Sequence, residues 1–186
     1  AKYPQHTVST VLGGTFISTP HWIMDANLLV KAAPQSVQDT LRLCESSEPP
    51  EGDVCSAAYT KLYSAYYTRG TPSKARLDYY ENVGGNGFNP VIYNAMWGPS
   101  EFSSTGVLKA YDATHLLAGI NPLTTLFMVG QYDSARIDTV QDYLALAPGA
   151  ELAVVPGGAH GFYGDRPLIT LAILRSWLTR KDPTTD

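Results

Sequence analysis

Two short apolar runs with a helical stripe between them constrain this chain more than anything else in it. Leu126-Phe127-Met128-Val129-Gly130 and Leu152-Ala153-Val154-Val155-Pro156 are too short for helices and carry no charged or polar side chain, which is how strands buried on both faces read. Between them Ile137, Val140, Leu144 and Ala147 recur at helical spacing. After them Leu171, Leu174 and Leu178, with Ile173 and Trp177 beside them, form a second amphipathic stripe. Strand–helix–strand–helix at this length predicts a right-handed βαβ unit in a parallel sheet. One earlier strand is expected over 8–12, where Thr7 to Gly13 alternates weakly. Two or three parallel strands would leave open edges, which natural proteins avoid, so the pattern predicts a companion segment outside these residues.

The intervening stretch reads as helix and loop. Ser18-Thr19-Pro20 suits a helix start with proline in the first turn, and Trp22, Ile23, Ala26, Leu29 and Val30 continue it at helical spacing. Pro34 ends that segment, and Val37, Leu41 and Cys44 predict a second helix. A loop follows from Glu45 to Asp53. Val54 to Tyr67 is helical, with Tyr59, Tyr63, Tyr66 and Tyr67 sharing a face that is expected to pack the helices rather than to hold a ligand. Gly84-Gly85-Asn86-Gly87 marks another loop, and Pro90 to Trp97 a short helix. A helical insertion from about His21 to Trp97 thus precedes the end of an α/β sheet.

Composition narrows the function classes. With 186 residues, 44% of them hydrophobic and 16% charged, the chain can bury a core. A net charge of −4 without a Lys/Arg cluster disfavours nucleic acid and anionic membrane surfaces, and no apolar stretch approaches a membrane span. Neither Cys-x-x-Cys nor His-Glu-x-x-His occurs, so no metal site is expected. The glycine-rich loop fits no phosphate or dinucleotide fingerprint. Cys44 and Cys55 would pair if two helices met there, but two free thiols in a reducing compartment is the preferred reading. The chain starts at Ala1 without an initiator Met or a leader pattern, which points to processing, trimming or a fragment; a cytoplasmic location is the expectation, with any targeting signal lying in the absent part.

The chemistry-bearing residues lie just past the two apolar runs. Asp133 follows the first, and His160 follows the second through Gly157-Gly158-Ala159. Open α/β sheets collect reactive groups at the carboxyl ends of their strands. An imidazole that takes a proton from a nucleophilic hydroxyl needs a carboxylate to fix its tautomer and stabilise its cation, and the order Asp then His, one helix and one strand apart, suits that task. Separately, Asp133 reads as a turn or capping residue and His160 as a surface residue. Their joint placement favours a catalytic pair. His6, His21 and His115 follow no clear strand and are expected to pack or face solvent. Asp138 suits the first turn of a helix, and Asp165 lies too close along the chain to His160 to serve it as the triad carboxylate. No Gly-x-Ser-x-Gly turn is present. Glu101, embedded in Tyr93-Asn94-Ala95-Met96-Trp97-Gly98-Pro99-Ser100-Glu101-Phe102, is either a helix-end carboxylate or an anchor for an ammonium group.

At these residues the chain resembles the proline iminopeptidase family, serine aminopeptidases of the α/β-hydrolase fold. Tyr93 to Phe102 is similar to that family's Tyr-Asn-x-Met-Trp-Gly-Pro-x-Glu-Phe segment. Val129-Gly130-Gln131-Tyr132-Asp133 and Gly158-Ala159-His160 are similar to its triad Asp and His motifs, and Ser18 to Ile23 to the way into its helical cap. Ala1-Lys2-Tyr3-Pro4 looks like the end of the helix after its nucleophile elbow. The resemblance implies the C-terminal portion of an α/β-hydrolase: core over 1–20, helical cap over 21–104, core again over 105–186, with the N-terminal strands and the serine elbow supplied by a missing segment or companion chain. It implies that Asp133 orients the base and His160 acts as general acid–base. Glu101 would bind the free α-amino group of a peptide or amino-acid amide, and Tyr93 and Trp97 would line the pocket for its first residue, often proline. No metal or cofactor is implied. Ser134 departs from the family, which usually has a second acid there. That keeps an esterase or amidase of the same fold open, beside a truncated homologue that only binds a ligand.

Overall fold

The computed structural model describes residues 6–46, 48, 50–85 and 88–181. Ala1 to Pro4, expected to end a helix, lie outside them. In chain order the elements are β1 (Thr10–Gly13), α1 (Thr19–Ala32), α2 (Gln35–Cys44), α3 (Val54–Tyr67), α4 (Lys74–Asn82), α5 (Pro90–Met96), β2 (Thr125–Gly130), α6 (Ile137–Ala145), β3 (Glu151–Val155), α7 (Phe162–Asp165) and α8 (Pro167–Lys181), with two turns of 3-10 helix over Thr114–Gly119 and Pro122–Thr124.

The strands form one parallel sheet in the order β1-β2-β3. Leu12 pairs with Phe127, and Phe127 with Leu152. β2, in the middle, is buried at all six positions, the reason its sequence after Thr125 is continuously apolar rather than alternating. Its side chains still alternate between two cores. Phe127 and Val129 pack with Val140, Tyr143 and Ala147 of and after α6. Leu126 and Met128 pack on the other face with Phe162 and Trp177 of α7 and α8. Truncating a fully buried aromatic such as Trp177 to alanine would cost about 3–5 kcal/mol.

A third core lies among the helices, where Ala26, Val37, Leu41, Ala58, Leu62 and Phe102 bring α1, α2 and α3 together. This packing overturns the expectation of two free cysteines. Cys44 at the end of α2 and Cys55 in the first turn of α3 form a disulfide, with Cα atoms 5.6 Å apart. The chain leaves the sheet at 17–19 and returns at 108–113 side by side. The Thr19 hydroxyl donates to Leu108 O at 2.7 Å, Thr19 N–H to Tyr111 O at 2.9 Å, and Ala113 N–H to Ile17 O at 3.0 Å.

Three elements depart from the sequence reading, the shortest being α7, whose four residues are too few to show a period. β1 starts at Thr10 rather than at 8, because its limits follow its pairing with β2. α4 was not expected at all. It buries no residue and so carries no apolar stripe to read. Its start is marked instead by Ser73, whose side chain accepts the Arg76 N–H, as N-terminal caps do.

Candidate active site

The carboxyl ends of β2 and β3 are laced together, which fixes the loops beyond them. Gln131 N–H donates to Val155 O at 3.0 Å and Tyr132 N–H to Gly158 O at 2.9 Å, while Gln131 Oε1 accepts Gly157 N–H at 2.9 Å. Asp133 turns back into its own loop. Its Oδ2 accepts the Gly130 N–H at 3.1 Å and its Oδ1 the Ala135 N–H at 2.9 Å. The same Oδ1 lies 2.9 Å from His160 Nδ1. The Asp133 side chain is fully buried, whereas 24% of the His160 side chain stays open. The carboxylate is thus held by two backbone donors and the imidazole, and the imidazole retains an accessible edge.

Rings surround that imidazole. Trp22 meets it edge-on with centroids 5.7 Å apart, and Tyr67 lies at 5.1 Å. Trp22 also reaches Glu101, its indole N–H donating to Oε2 at 2.7 Å. The Tyr93 hydroxyl donates to Oε1 at 2.6 Å. Glu101 therefore has a donor on each oxygen and His160 nearby. Burial pushes its carboxyl above the usual range, and the Trp22 hydrogen bond and the His160 charge pull it partly back. Burial also pushes the Tyr93 phenol up to about 12, so it remains a donor at neutral pH.

Glu101 and Tyr93 face a cavity of about 1080 Å³ whose walls include Tyr59, Tyr63, Tyr67 and Phe88, with the Cys44 and Cys55 pair at one side. Tyr59 and Tyr63 stack on Phe102 at 5.7 Å and 5.3 Å, so the tyrosine face of α3 packs the helical core and walls the cavity at once. Trp97 does not stand among the cavity walls. It is buried, its indole N–H donates to Ser100 O at 2.6 Å, and its ring meets Phe16 at 5.4 Å. Ser134 is buried, and its hydroxyl has no partner among the described residues.

The structure thus brings Asp133, His160, Glu101 and Tyr93 to one place, with Trp97 behind it. Tyr67, expected only to pack the helices, joins them. So do Trp22 and Gly14, neither of which stood out as a site residue in the sequence; a β-carbon on Gly14 would come 2.9 Å from His160 Cε1. Trp22 was hidden by its helical spacing, which reads as core. Gly14 was hidden among sixteen glycines, and a rule of turn chemistry alone does not single it out. His21 and His115 lie elsewhere. His21 stacks on Tyr143 at 5.5 Å, and His115 is exposed. Asp138 sits in the first turn of α6 and bonds Arg136 at 2.6 Å. Among the described residues no cluster of three His, Cys, Asp or Glu side chains could hold a metal ion, and no helix is long and apolar enough to cross a membrane.

A parallel sheet covered on both faces, with an aspartate and a histidine in contact beyond neighbouring strands, gives this chain the fold of part of an α/β-hydrolase. The curated proteins it is similar to include several proline iminopeptidases. It is 29% identical over 175 residues to the proline iminopeptidase of Heyndrickxia coagulans, covering 94% of this chain and 59% of that protein. It is 25% identical to that of Levilactobacillus brevis, covering 98% and 60%. Among solved structures it is similar to a proline iminopeptidase of Mycobacterium smegmatis (TM-score 0.82, 23% identity, 100% of this chain and 61% of that one). It is also similar to VinJ (TM-score 0.78, 23% identity, 94% and 58%). No family model matches the chain. The chain spans about three fifths of the length of the curated relatives it matches.

Proposed function

We propose that this chain supplies the acid–base pair and the amine-binding wall of a serine aminopeptidase, with the nucleophilic serine contributed by a segment outside these residues. The observation that carries the reading is the 2.9 Å contact between His160 Nδ1 and Asp133 Oδ1. Asp133 holds the Nδ1–H tautomer, which leaves Nε2 to accept the serine proton as the hydroxyl attacks the scissile carbonyl. The imidazolium that forms is stabilised by the buried carboxylate and returns its proton to the leaving amine. A water then hydrolyses the acyl-enzyme by the same route. Glu101 receives the substrate's ammonium group, and the tyrosine-walled cavity takes the side chain of its first residue. On this reading α1 to α5 are the cap and the rest is core.

The names of the relatives support peptide or amino-acid amide substrates with a free N-terminus, proline first among them. Ser134 favours a second reading, an amidase or esterase of the same fold. It puts an uncharged, buried hydroxyl beside Asp133, where the resemblance leads one to expect a second acid for the amine. For location, the Cys44–Cys55 bond argues for an oxidising compartment rather than the cytoplasmic one.

The test uses the full-length polypeptide that carries this chain and a proline arylamide. Asp133→Asn and His160→Ala should each lower turnover about 10⁴-fold with the circular dichroism unchanged. The 186-residue chain alone should be inactive. Turnover retained in either variant, or shown by the chain alone, would overturn the proposal. Equal rates on N-blocked amides or esters would move it to the second reading.

A further inference from the structure

The loop that carries His160 is held by a carboxylate to which the hydrolytic reading gives no task. Asp165 Oδ1 accepts three hydrogen bonds from the stretch just after α3: from the Thr68 hydroxyl at 2.7 Å, Arg69 N–H at 2.9 Å and Gly70 N–H at 2.7 Å. Asp165 Oδ2 accepts the N–H of Ala159 at 2.9 Å. A single side chain therefore joins the end of α3 to the residue before His160.

The same stretch grips both loops in other ways. Tyr66 O accepts His160 N–H at 3.0 Å and Tyr67 O accepts Gly161 N–H at 2.7 Å, so carbonyls at the end of α3 are satisfied by the His160 loop instead of by water. The Arg69 guanidinium stands 4.0 Å above the ring of Tyr132, the neighbour of Asp133. The fit leaves no slack. A β-carbon on Gly70 would come 2.9 Å from Asp165 Cα, and one on Gly130 would come 2.7 Å from the carbonyl carbon of Ala159. Ala159 is wedged between the end of β2 and Asp165, and His160 has to follow where Ala159 is placed.

We propose that Asp165 is a positioning residue: by bridging the backbone after α3 to the N–H of Ala159, it sets where the His160 imidazole stands relative to Asp133. The proposal rests on the reading of His160 as the general base. It assigns Asp165 no contact with substrate.

Asp165→Asn isolates the link that matters. Its carbonyl oxygen can keep the three donors of 68–70, but its amide then faces the Ala159 N–H, donor against donor. Thr68→Val serves as the control, since it removes one donor to Oδ1 and leaves Ala159 untouched. In the full-length polypeptide that carries this chain, the Asp165→Asn variant should lose or broaden the low-field proton NMR signal of the His160 Nδ1–H···Asp133 bond. Its kcat on proline arylamide should fall about tenfold to a hundredfold, with KM within about twofold. Thr68→Val, at a residue that also lines the cavity, should leave that NMR signal unchanged.

A wild-type signal and kcat in Asp165→Asn would overturn the proposal. So would losses in both variants that simply track their melting temperatures, because that would make Asp165 a stabilising contact only. If the unmutated polypeptide proves to hydrolyse nothing, the hydrolase reading fails, while the NMR comparison still decides whether Asp165 places the imidazole.

Discussion

Gly14 lies against the imidazole of His160, where a β-carbon would come 2.9 Å from Cε1 and 3.0 Å from Nδ1. Its φ of +55° lies in the left-handed region that side chains disfavour by about 1–2 kcal/mol. Its N–H donates to Met128 O at 3.0 Å, which ties it to the end of β2. Gly14→Ala should therefore both strain the backbone and displace the base. We expect a loss of at least about tenfold in kcat and a lower melting temperature, read by steady-state kinetics and thermal denaturation. A normal kcat in the variant would show that His160 has room to retreat.

Glu101 must be ionised to hold an ammonium group, and burial raises its pKa above the ordinary 4.5. The charged form is lost on acidification sooner than for an exposed glutamate. Affinity for substrates with a free amine should thus decline as pH falls through a range above 4.5. Glu101→Gln should remove that limb of the pH profile and reduce kcat/KM on amine-bearing substrates about tenfold to a hundredfold, while N-blocked substrates change little. Trp22→Phe, which keeps a ring but loses the donor to Oε2, should shift the same limb to higher pH. Profiles measured on free and N-blocked arylamides check both.

The Cys44–Cys55 bond closes a short loop between two packed helices, a constraint worth about 3 kcal/mol for a separation of 11 in the chain-entropy model. The paired Cys44→Ser and Cys55→Ser variant should melt several degrees lower and loosen the cavity wall near Tyr59. Alkylation with and without prior reduction, followed by mass measurement, reports whether the bond is present. Free thiols in material purified without reductant would contradict it.

Asp25 fastens α1 to the start of α6, its Oδ1 accepting the Thr139 hydroxyl at 2.8 Å and its Oδ2 the Arg136 N–H at 3.2 Å. Removing it in Asp25→Ala leaves both donors without an acceptor in a buried place and should cost about 2–3 kcal/mol, measured by urea denaturation. Burial holds its pKa above 3.8, against the hydrogen bonds from Thr139 and Arg136. The folded state then keeps this proton longer than the unfolded state does. That contribution is complete below pH 3.8 and is lost as pH rises through the raised value. Asp25→Asn should flatten this part of the stability profile.

Local pattern was enough for β2, β3, most helices and the positions of Asp133 and His160 just past those strands. The limits of α3 follow from its spacing, β2 and β3 from their apolar runs, and the posts of Asp133 and His160 from standing just past those runs. Such features depend on which side of an element faces the core, and periodicity records that directly. α4 escaped notice because it buries nothing.

The remainder of the site comes from groups far apart along the chain. Trp22 donates to Glu101 across 79 positions, and the Thr68 hydroxyl meets Asp165 across 97. Closeness along the chain to His160 argues against Asp165 as the triad carboxylate, and the same closeness lets it hold Ala159. Burial period says which face is inward but not what it meets there, so hydrogen-bond partners, the pairing of Cys44 with Cys55 and the space denied at Gly14 had to await the packing of helix on helix and loop on loop.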